Sequence, residues 1–225
     1  MRALALTLMI LALPVPGAAY CRLALSLAVD VSSSVDEAEY ALQKNGLLAA
    51  LSDPEVADAF FRVPGAYVAL HVFEWSGRYQ QDVMLDWTAI VTPDDLRGAV
   101  LALAARKRSY AEFPTALGYA LGFASFEFRR VPGCERRKID VSGDGVNNDG
   151  FPPQMARNNH DLDTVTVNGL VIGDDPDVMR FYRNSVIMGP GAFVEHAATF
   201  ADFEDAMRRK LIRELGEPQL GLLAR

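Results

Sequence analysis

Apolar runs alternate with segments of helical period along this chain, and that alternation predicts a parallel sheet covered by helices. The first apolar run, residues 23–29 ("LALSLAV"), reads as a buried strand. Residues 35–51 read as a helix with Ser34 as its N-cap and Ala38, Leu42, Leu47, Leu48 and Leu51 along one side. Ser52-Asp53-Pro54 stops it. "YVALHVFEW" (67–75) is the second strand, and Ser76-Gly77 turns the chain into "YQQDVMLDWTAI", an antiparallel edge hairpin. Thr92-Pro93-Asp94-Asp95 caps a helix reaching Arg106, and a helix rich in small residues spans 115–128. Further strands fall at 137–142, 164–172 and 192–196, and helices at 153–161, 176–185 and 201–215. The expected fold is α/β: a doubly wound, mostly parallel six-stranded sheet with one antiparallel edge strand and helices on both faces. No repeat or linker divides it, so residues 20–225 read as a single domain.

Composition narrows the function classes. The 225 residues are 50% hydrophobic and 23% charged, as in soluble globular domains, and the net charge of −7 with pI near 5.0 argues against nucleic-acid binding. The densest basic stretch, "RRVPGCERRK" (129–138), is broken by Pro132 and Gly133 and reads as a solvated connection. The N-terminus resembles an export signal. Arg2 is followed by the apolar "ALALTLMILAL" (3–13), then by "PVPGAA" with small residues at a cleavage position after Ala19. That apolar stretch falls short of the roughly 20 residues a membrane-spanning helix needs, and no later segment is long and apolar enough. Its alternative is a first buried strand or helix. Residues 1–19 as a cleaved signal place the mature chain in the bacterial periplasm or outside the cell. Two cysteines, Cys21 and Cys134, are too few for a disulfide scaffold and lie in no C-x-x-C spacing; in an oxidising compartment such a pair is a candidate bridge.

The candidate chemistry lies where strands end. Ligands of doubly wound sheets gather outside the carboxyl ends of the strands, and Asp30 and Asp144 both sit there. Two carboxylates on neighbouring strand ends repel unless a cation or proton separates them. Ser32 and Ser34 return to the same point, because alternate residues of an extended turn face one way. Oxygen-only donors with few carboxylates suit a hard cation such as Mg²⁺. The bland alternative is a capped helix, and a chance D-x-S-x-S in a chain of this length has a probability of roughly 5–10%, so the motif alone does not decide.

"DVSSS" after an apolar first strand resembles the D-x-S-x-S motif of von Willebrand factor A domains, which carry a metal-ion-dependent adhesion site. The resemblance implies a Mg²⁺ site (or Mn²⁺ or Ca²⁺) completed by a threonine from a later loop and an aspartate ending the fourth strand. Here these are Thr115 in "EFPTALGYAL" and Asp144 in "SGDG", beside Asp30, Ser32 and Ser34. The hydroxyls would coordinate, while Asp30 and Asp144 hold the ion or its waters. An open position would then take a carboxylate from a protein partner. "VDVSSSVDEAEY", "DVSGDGVNNDG", "VNGLVIG" and "GPGAFV" together are similar to an exported bacterial subfamily of these domains without an assigned function. In that architecture the first and fourth strands are parallel neighbours. Cys21, nine residues before Asp30, and Cys134, ten before Asp144, then meet at the opposite end and are expected to form a disulfide.

Two rival readings stand beside it. "GDGVNND" is similar to a segment of haloacid-dehalogenase-type Mg²⁺ phosphohydrolases, but those need an aspartate where this chain has Ser32, and the loop is one residue longer. A structural assembly module with an empty site is the other. Asn147, Asn148 and Asp149 read as rim residues or plain turn formers. Glu74 is the further acid to place, with pairing to backbone or arginine as its bland role. His71, His160 and His196 lie in no metal spacing and no G-x-S-x-G elbow is present, so they read as packed or surface residues; Trp75 and Trp87 read as core or edge packing.

Overall fold

Strand β1 (Tyr20–Asp30) is buried from Cys21 to its end, and its side chains alternate between two cores. Leu23, Leu25, Leu27 and Val29 enter one, Ala24 and Ala28 the other. β2 (Ala66–Trp75) and β4 (Arg137–Gly143) flank β1 in parallel, β5 (Val165–Ile172) and β6 (Val194–Ala197) continue the sheet, and β3 (Gln81–Ile90) runs antiparallel to β2. The order β3-β2-β1-β4-β5-β6 is the expected doubly wound arrangement, with its switch point between the carboxyl ends of β1 and β4. The structure is a computed structural model and describes residues 19–131, 133–159 and 161–216. Residues 1–18 of the expected export signal, Pro132, His160 and residues 217–225 lie outside the described residues.

Helices α1 (Glu37–Ser52), α2 (Pro54–Phe61), α3 (Pro93–Ala104) and α7 (Phe203–Gly216) cover the leucine-rich face. α4 (Leu117–Glu127), α5 (Pro153–Asn159) and α6 (Pro176–Phe181) cover the alanine side, and a π-helical turn, Tyr182–Val186, prolongs α6.

Three expectations need correction. The N-cap of α1 is Asp36, in a capping box with Glu39, which leaves the Ser34 hydroxyl for another partner. The buried side of α1 carries Tyr40, Gln43, Gly46, Leu47, Ala50 and Leu51, while Ala38 and Leu42 face out. Polar groups turn the helix this way: Gln43 donates to the Asp30 carbonyl at 2.9 Å, and a Cβ on Gly46 would lie 3.0 Å from the Glu204 backbone nitrogen of α7. Asp53-Pro54, read as a stop, also starts α2, because the Asp53 carboxylate accepts from the Glu55 and Val56 N–H groups.

The basic stretch 129–138 is not wholly solvated. Lys138 is buried and donates to the Glu214 carbonyl at 2.9 Å. It belongs to a polar seam under α7, in which Lys210 Nζ lies 2.7 Å from Asp140 Oδ1 and 2.8 Å from Glu214 Oε1. Asn168 Nδ2 donates to Glu214 Oε1 at 2.6 Å. Burial alone would lower the Lys210 pKa, but the Asp140 and Glu214 carboxylates outweigh it and raise it, so the ammonium stays charged. Arg22, also buried, donates to the Leu215 carbonyl near the end of α7.

At the opposite end of β1 from Asp30, Cys21 and Cys134 form the expected disulfide, with a Cα–Cα distance of 4.6 Å. It spans 113 residues of sequence, a closure of about 4–5 kcal/mol on chain-entropy grounds.

Lys210→Ala leaves Asp140 and Glu214 buried without their cation, and urea denaturation at neutral pH is expected to show a loss of about 3–5 kcal/mol. A variant as stable as the parent would mean that the seam does not hold α7.

Candidate functional site

β1 delivers Asp30 fully buried to the switch point. Its Oδ1 accepts the Ser32 N–H at 2.8 Å, while Oδ2 is buried with no hydrogen-bond partner. The turn after the strand points Ser32 and Ser34 the same way, their hydroxyls 3.3 Å apart, and sends Ser33 outward. Thr115 Oγ1 lies 3.3 Å from Ser32 Oγ, and the Ser34 hydroxyl donates to Asp144 Oδ1 at 2.8 Å. All five oxygen-bearing residues singled out in the sequence, Asp30, Ser32, Ser34, Thr115 and Asp144, therefore meet in one chain of contacts.

Asn147 and Asn148 are more than turn formers. Thr115 precedes α4, whose N-cap position, Ala116, has no side chain to cap with. Asn147 Oδ1 accepts the Gly118 N–H at 3.1 Å and fills that role from the loop after β4. Asn148 Oδ1 accepts the Thr115 N–H at 2.8 Å, and the Thr115 carbonyl accepts from the Asn148 N–H at 3.0 Å. Asp149 closes the clamp through Arg78 at 2.7 Å. Two glycines make the approach possible. A Cβ on Gly118 would lie 2.0 Å from the Phe151 carbonyl oxygen, and one on Gly143 would lie 2.7 Å from Asp30 Oδ2 and 2.6 Å from the Tyr182 hydroxyl.

Electrostatically the cluster lacks positive charge. Burial, and secondarily the Asp144 carboxylate, push the Asp30 pKa up to about 7. Burial and then Asp30 and Asp144 raise the buried Tyr182 phenol as well. Arg108 is nearby, but its guanidinium donates to the backbone carbonyls of Val31, Ser32, Val35 and Tyr110. Among the described residues no group of three or more His, Cys, Asp or Glu side chains could hold a metal ion. Any ion here would depend on hydroxyls as much as on carboxylates, the donor set of a hard cation. The orphaned, fully buried Asp30 Oδ2 is the atom such a charge would satisfy, so the residues fit a Mg²⁺-type ion.

The other singled-out residues lie elsewhere. Glu74 accepts the Tyr40 hydroxyl at 2.7 Å and the Ser109 N–H at 2.8 Å, tying the segment before Thr115 to β2. His71 bonds Ser26 at 2.9 Å and has Glu127 3.9 Å from its far nitrogen, a string that resembles a hydrolytic triad. Ser26 and His71 are fully buried, so no substrate reaches them, and burial pushes His71 down to about 4. His196 Nε2 contacts the Gly173 carbonyl at 3.0 Å. Trp75 is buried, and Trp87 stacks on His71. The clamp roles of Asn147 and Asn148 and the closeness of Tyr182 were not anticipated. The only signals for them were the asparagine pair and the glycines around Asp144.

A sheet of this order, with D-x-S-x-S after β1 and an aspartate after β4, defines a von Willebrand factor A-like domain. The chain belongs to the family described as "Protein of unknown function (DUF1194)", whose model matches residues 20–219. A comparison with curated proteins finds no match. Among solved structures, proximal thread matrix protein 1 from the mussel byssus aligns with TM-score 0.60 and 15% identity over 88% of this chain and 48% of its own. The von Willebrand factor type A protein from Catenulispora acidiphila aligns with TM-score 0.62 and 17% identity over 88% and 44%. The chain thus spans about half the length of these proteins, and at such identities the likeness shows the fold. A second structure of the mussel protein, with a zinc-occupied MIDAS motif, aligns with TM-score 0.55 and 15% identity over 88% and 46%.

The raised Asp30 pKa predicts a pH effect in the absence of divalent ions. Between its ordinary value of 3.8 and about 7, the folded chain keeps a proton that the unfolded chain has released, so stability falls as pH rises through that window. In EDTA, Asp30→Asn is expected to remove a component of on the order of a few kcal/mol from the stability difference between pH 5 and pH 8. Denaturation curves of equal pH dependence for parent and variant would overturn it.

Proposed function

We propose that this chain is an exported, metal-dependent binding module for a protein partner, rather than an enzyme. Asp30, Ser32, Ser34, Thr115 and Asp144 hold a divalent cation of the Mg²⁺ type, with Mn²⁺ or Ca²⁺ as alternatives. When bound, the ion supplies positive charge between Asp30 and Asp144 and an open position for a partner's carboxylate. The chain's own residues do the rest. Ser32 and Thr115 present hydroxyls from separate loops, the asparagine clamp fixes Thr115, and Arg108 holds the Ser32 loop by its carbonyls.

The observation that carries this reading is the convergence of those hydroxyls and carboxylates around the unpartnered Asp30 Oδ2. The metal-occupied motif named for the mussel protein supports it. A pilus adhesin, SpaC from Lactobacillus rhamnosus GG, shares the fold at TM-score 0.59 and 13% identity over 87% of this chain and 31% of its own. With Ser32 where a haloacid-dehalogenase-type enzyme needs an aspartate, the phosphohydrolase alternative lacks its acid/base. Export through a signal at 1–19, to the periplasm or beyond, agrees with the Cys21–Cys134 disulfide. Among the described residues no helix is long and apolar enough to cross a membrane.

Calorimetric titration with Mg²⁺ and Mn²⁺ is expected to show one site, weakened at least about tenfold, the equivalent of about 1.4 kcal/mol, by Ser32→Ala or Thr115→Ala. Absence of heat with the parent chain would favour the empty assembly module. In a pull-down from envelope extract, EDTA or Asp30→Ala is expected to release the partner; capture of the same proteins under all conditions would reject the metal-bridged mechanism.

A further inference from the structure

α1 separates two clefts of opposite charge, and each has a lining residue that hydrogen-bonds to the loop carrying Ser32 and Ser34. A cleft of about 600 Å³ lies between α1 and residues 106–111, where Lys44, Arg106, Lys107 and Arg108 face one acid among the lining residues, Glu37. Part of this charge is answered, since Arg106 pairs with Asp82 at 2.7 Å, Arg108 lies 3.7 Å from Glu37 with its guanidinium turned to backbone carbonyls, and Lys44 donates to the Ala104 and Arg106 carbonyls. Lys107 is exposed, and the cleft stays positive in a chain with 22 bases and 29 acids. Across α1, a cleft of about 510 Å³ is lined by Glu39, Asp144, Asp174 and Asp175, with no basic side chain among its lining residues. Leu42 and Phe200 give it an apolar wall, and Leu42, 46% exposed, is the one large apolar side chain that α1 exposes. His196 approaches Asp174 at 3.2 Å from outside that lining.

Each cleft is joined to the candidate metal residues by a bond already described. Arg108 donates to the Ser32 carbonyl at 3.4 Å and Val35 carbonyl at 2.7 Å, and Asp144 accepts from Ser34 at 2.8 Å. A segment that reached the Ser32–Thr115–Asp144 cluster would therefore meet positive charge on one side and negative charge with an apolar wall on the other. Uniformly acidic or uniformly basic segments would be repelled by one of the two clefts.

We propose that the partner is recognised through a charge-segregated peptide segment lying across the start of α1. Its acidic side chains enter the Lys44–Lys107 cleft, a central carboxylate reaches the metal cluster, and a basic side chain with an apolar neighbour enters the Asp174–Leu42 cleft. This rests on the metal-dependent binding reading and adds to it the polarity of the partner.

The test uses the full chain with Mn²⁺ and three fluorescent peptides of one composition, each with a central aspartate. One groups glutamates before it and lysines after, one reverses that order, and one alternates the charges. In fluorescence anisotropy at about 0.02 M salt, one segregated peptide is expected to bind about tenfold tighter than the alternating one, and the advantage to vanish near 0.5 M salt, where screening is strong. Lys107→Glu and Asp174→Lys are each expected to cut the advantage to about threefold or less, with the heat of Mn²⁺ binding unchanged. Equal binding of the three peptides by a chain that still takes up Mn²⁺ would overturn the polarity alone. A preference that persists in EDTA would also overturn it, because charge alone would then suffice without the central carboxylate. A parent chain that binds no Mn²⁺ would remove the metal reading first, and this inference with it.

Discussion

Asp30 is a carboxylate buried at the end of the central strand beside a second acid, and among the described residues no side-chain cation forms an ion pair with it, Arg108 acting only from a distance. Burying such a charge is costly unless it is protonated or paired. One oxygen takes the Ser32 N–H and the other is left without a partner. Much of the architecture above the sheet follows from keeping this arrangement: Gly143 leaves room for the carboxylate, and Arg108 and the asparagine clamp fix the two hydroxyl-bearing loops around it.

The same sheet contains a control. Asp140 sits on β4 and is as thoroughly buried, but there the fold answers it from within, with Lys210 of α7 at 2.7 Å. Two buried acids on adjacent strands thus have different solutions. Where the requirement is structural, a lysine comes from a helix packed over the sheet. At the carboxyl end of the sheet the hydroxyls of Ser32, Ser34 and Thr115 gather instead, and one Asp30 oxygen is left without a hydrogen-bond partner. Burial raises the pKa of both acids, and what sets Asp30 apart is that it lacks an ammonium like Lys210 beside it, which supports the divalent ion proposed there.

In the binding module proposed for this chain, specificity would lie in what surrounds the centre. Here the surroundings are two clefts of opposite sign on either side of one helix, and they exist because α1 turns Leu42 and Glu39 to one side and Lys44 to the other. Tyr40, Gln43 and Gly46 determine that rotation through contacts with Glu74, the Asp30 carbonyl and α7. The helix that begins beside the Ser32–Ser34 loop therefore also organises the field around it.

The fold class, the strand positions and the Asp30–Ser32–Ser34 turn were legible in the sequence pattern, and the family resemblance added Thr115, the ligand role of Asp144 and the pairing of the first and fourth strands. Strands of a parallel sheet are near-continuous apolar runs, and side-chain alternation at a strand end is a local property. The face of α1, the start of α2, the clamp by Asn147 and Asn148 and the seam of Lys138, Asp140, Asn168, Lys210 and Glu214 were not. The seam and the clamp pair polar groups far apart in sequence, such as Asn168 with Glu214 at a separation of 46 and Thr115 with Asn148 at 33, whereas α2 starts on a local cap, Asp53 accepting from Glu55 and Val56. Local pattern measures whether a side chain prefers to leave water. Whether a buried polar group finds its partner is decided only when the folded chain brings the two together.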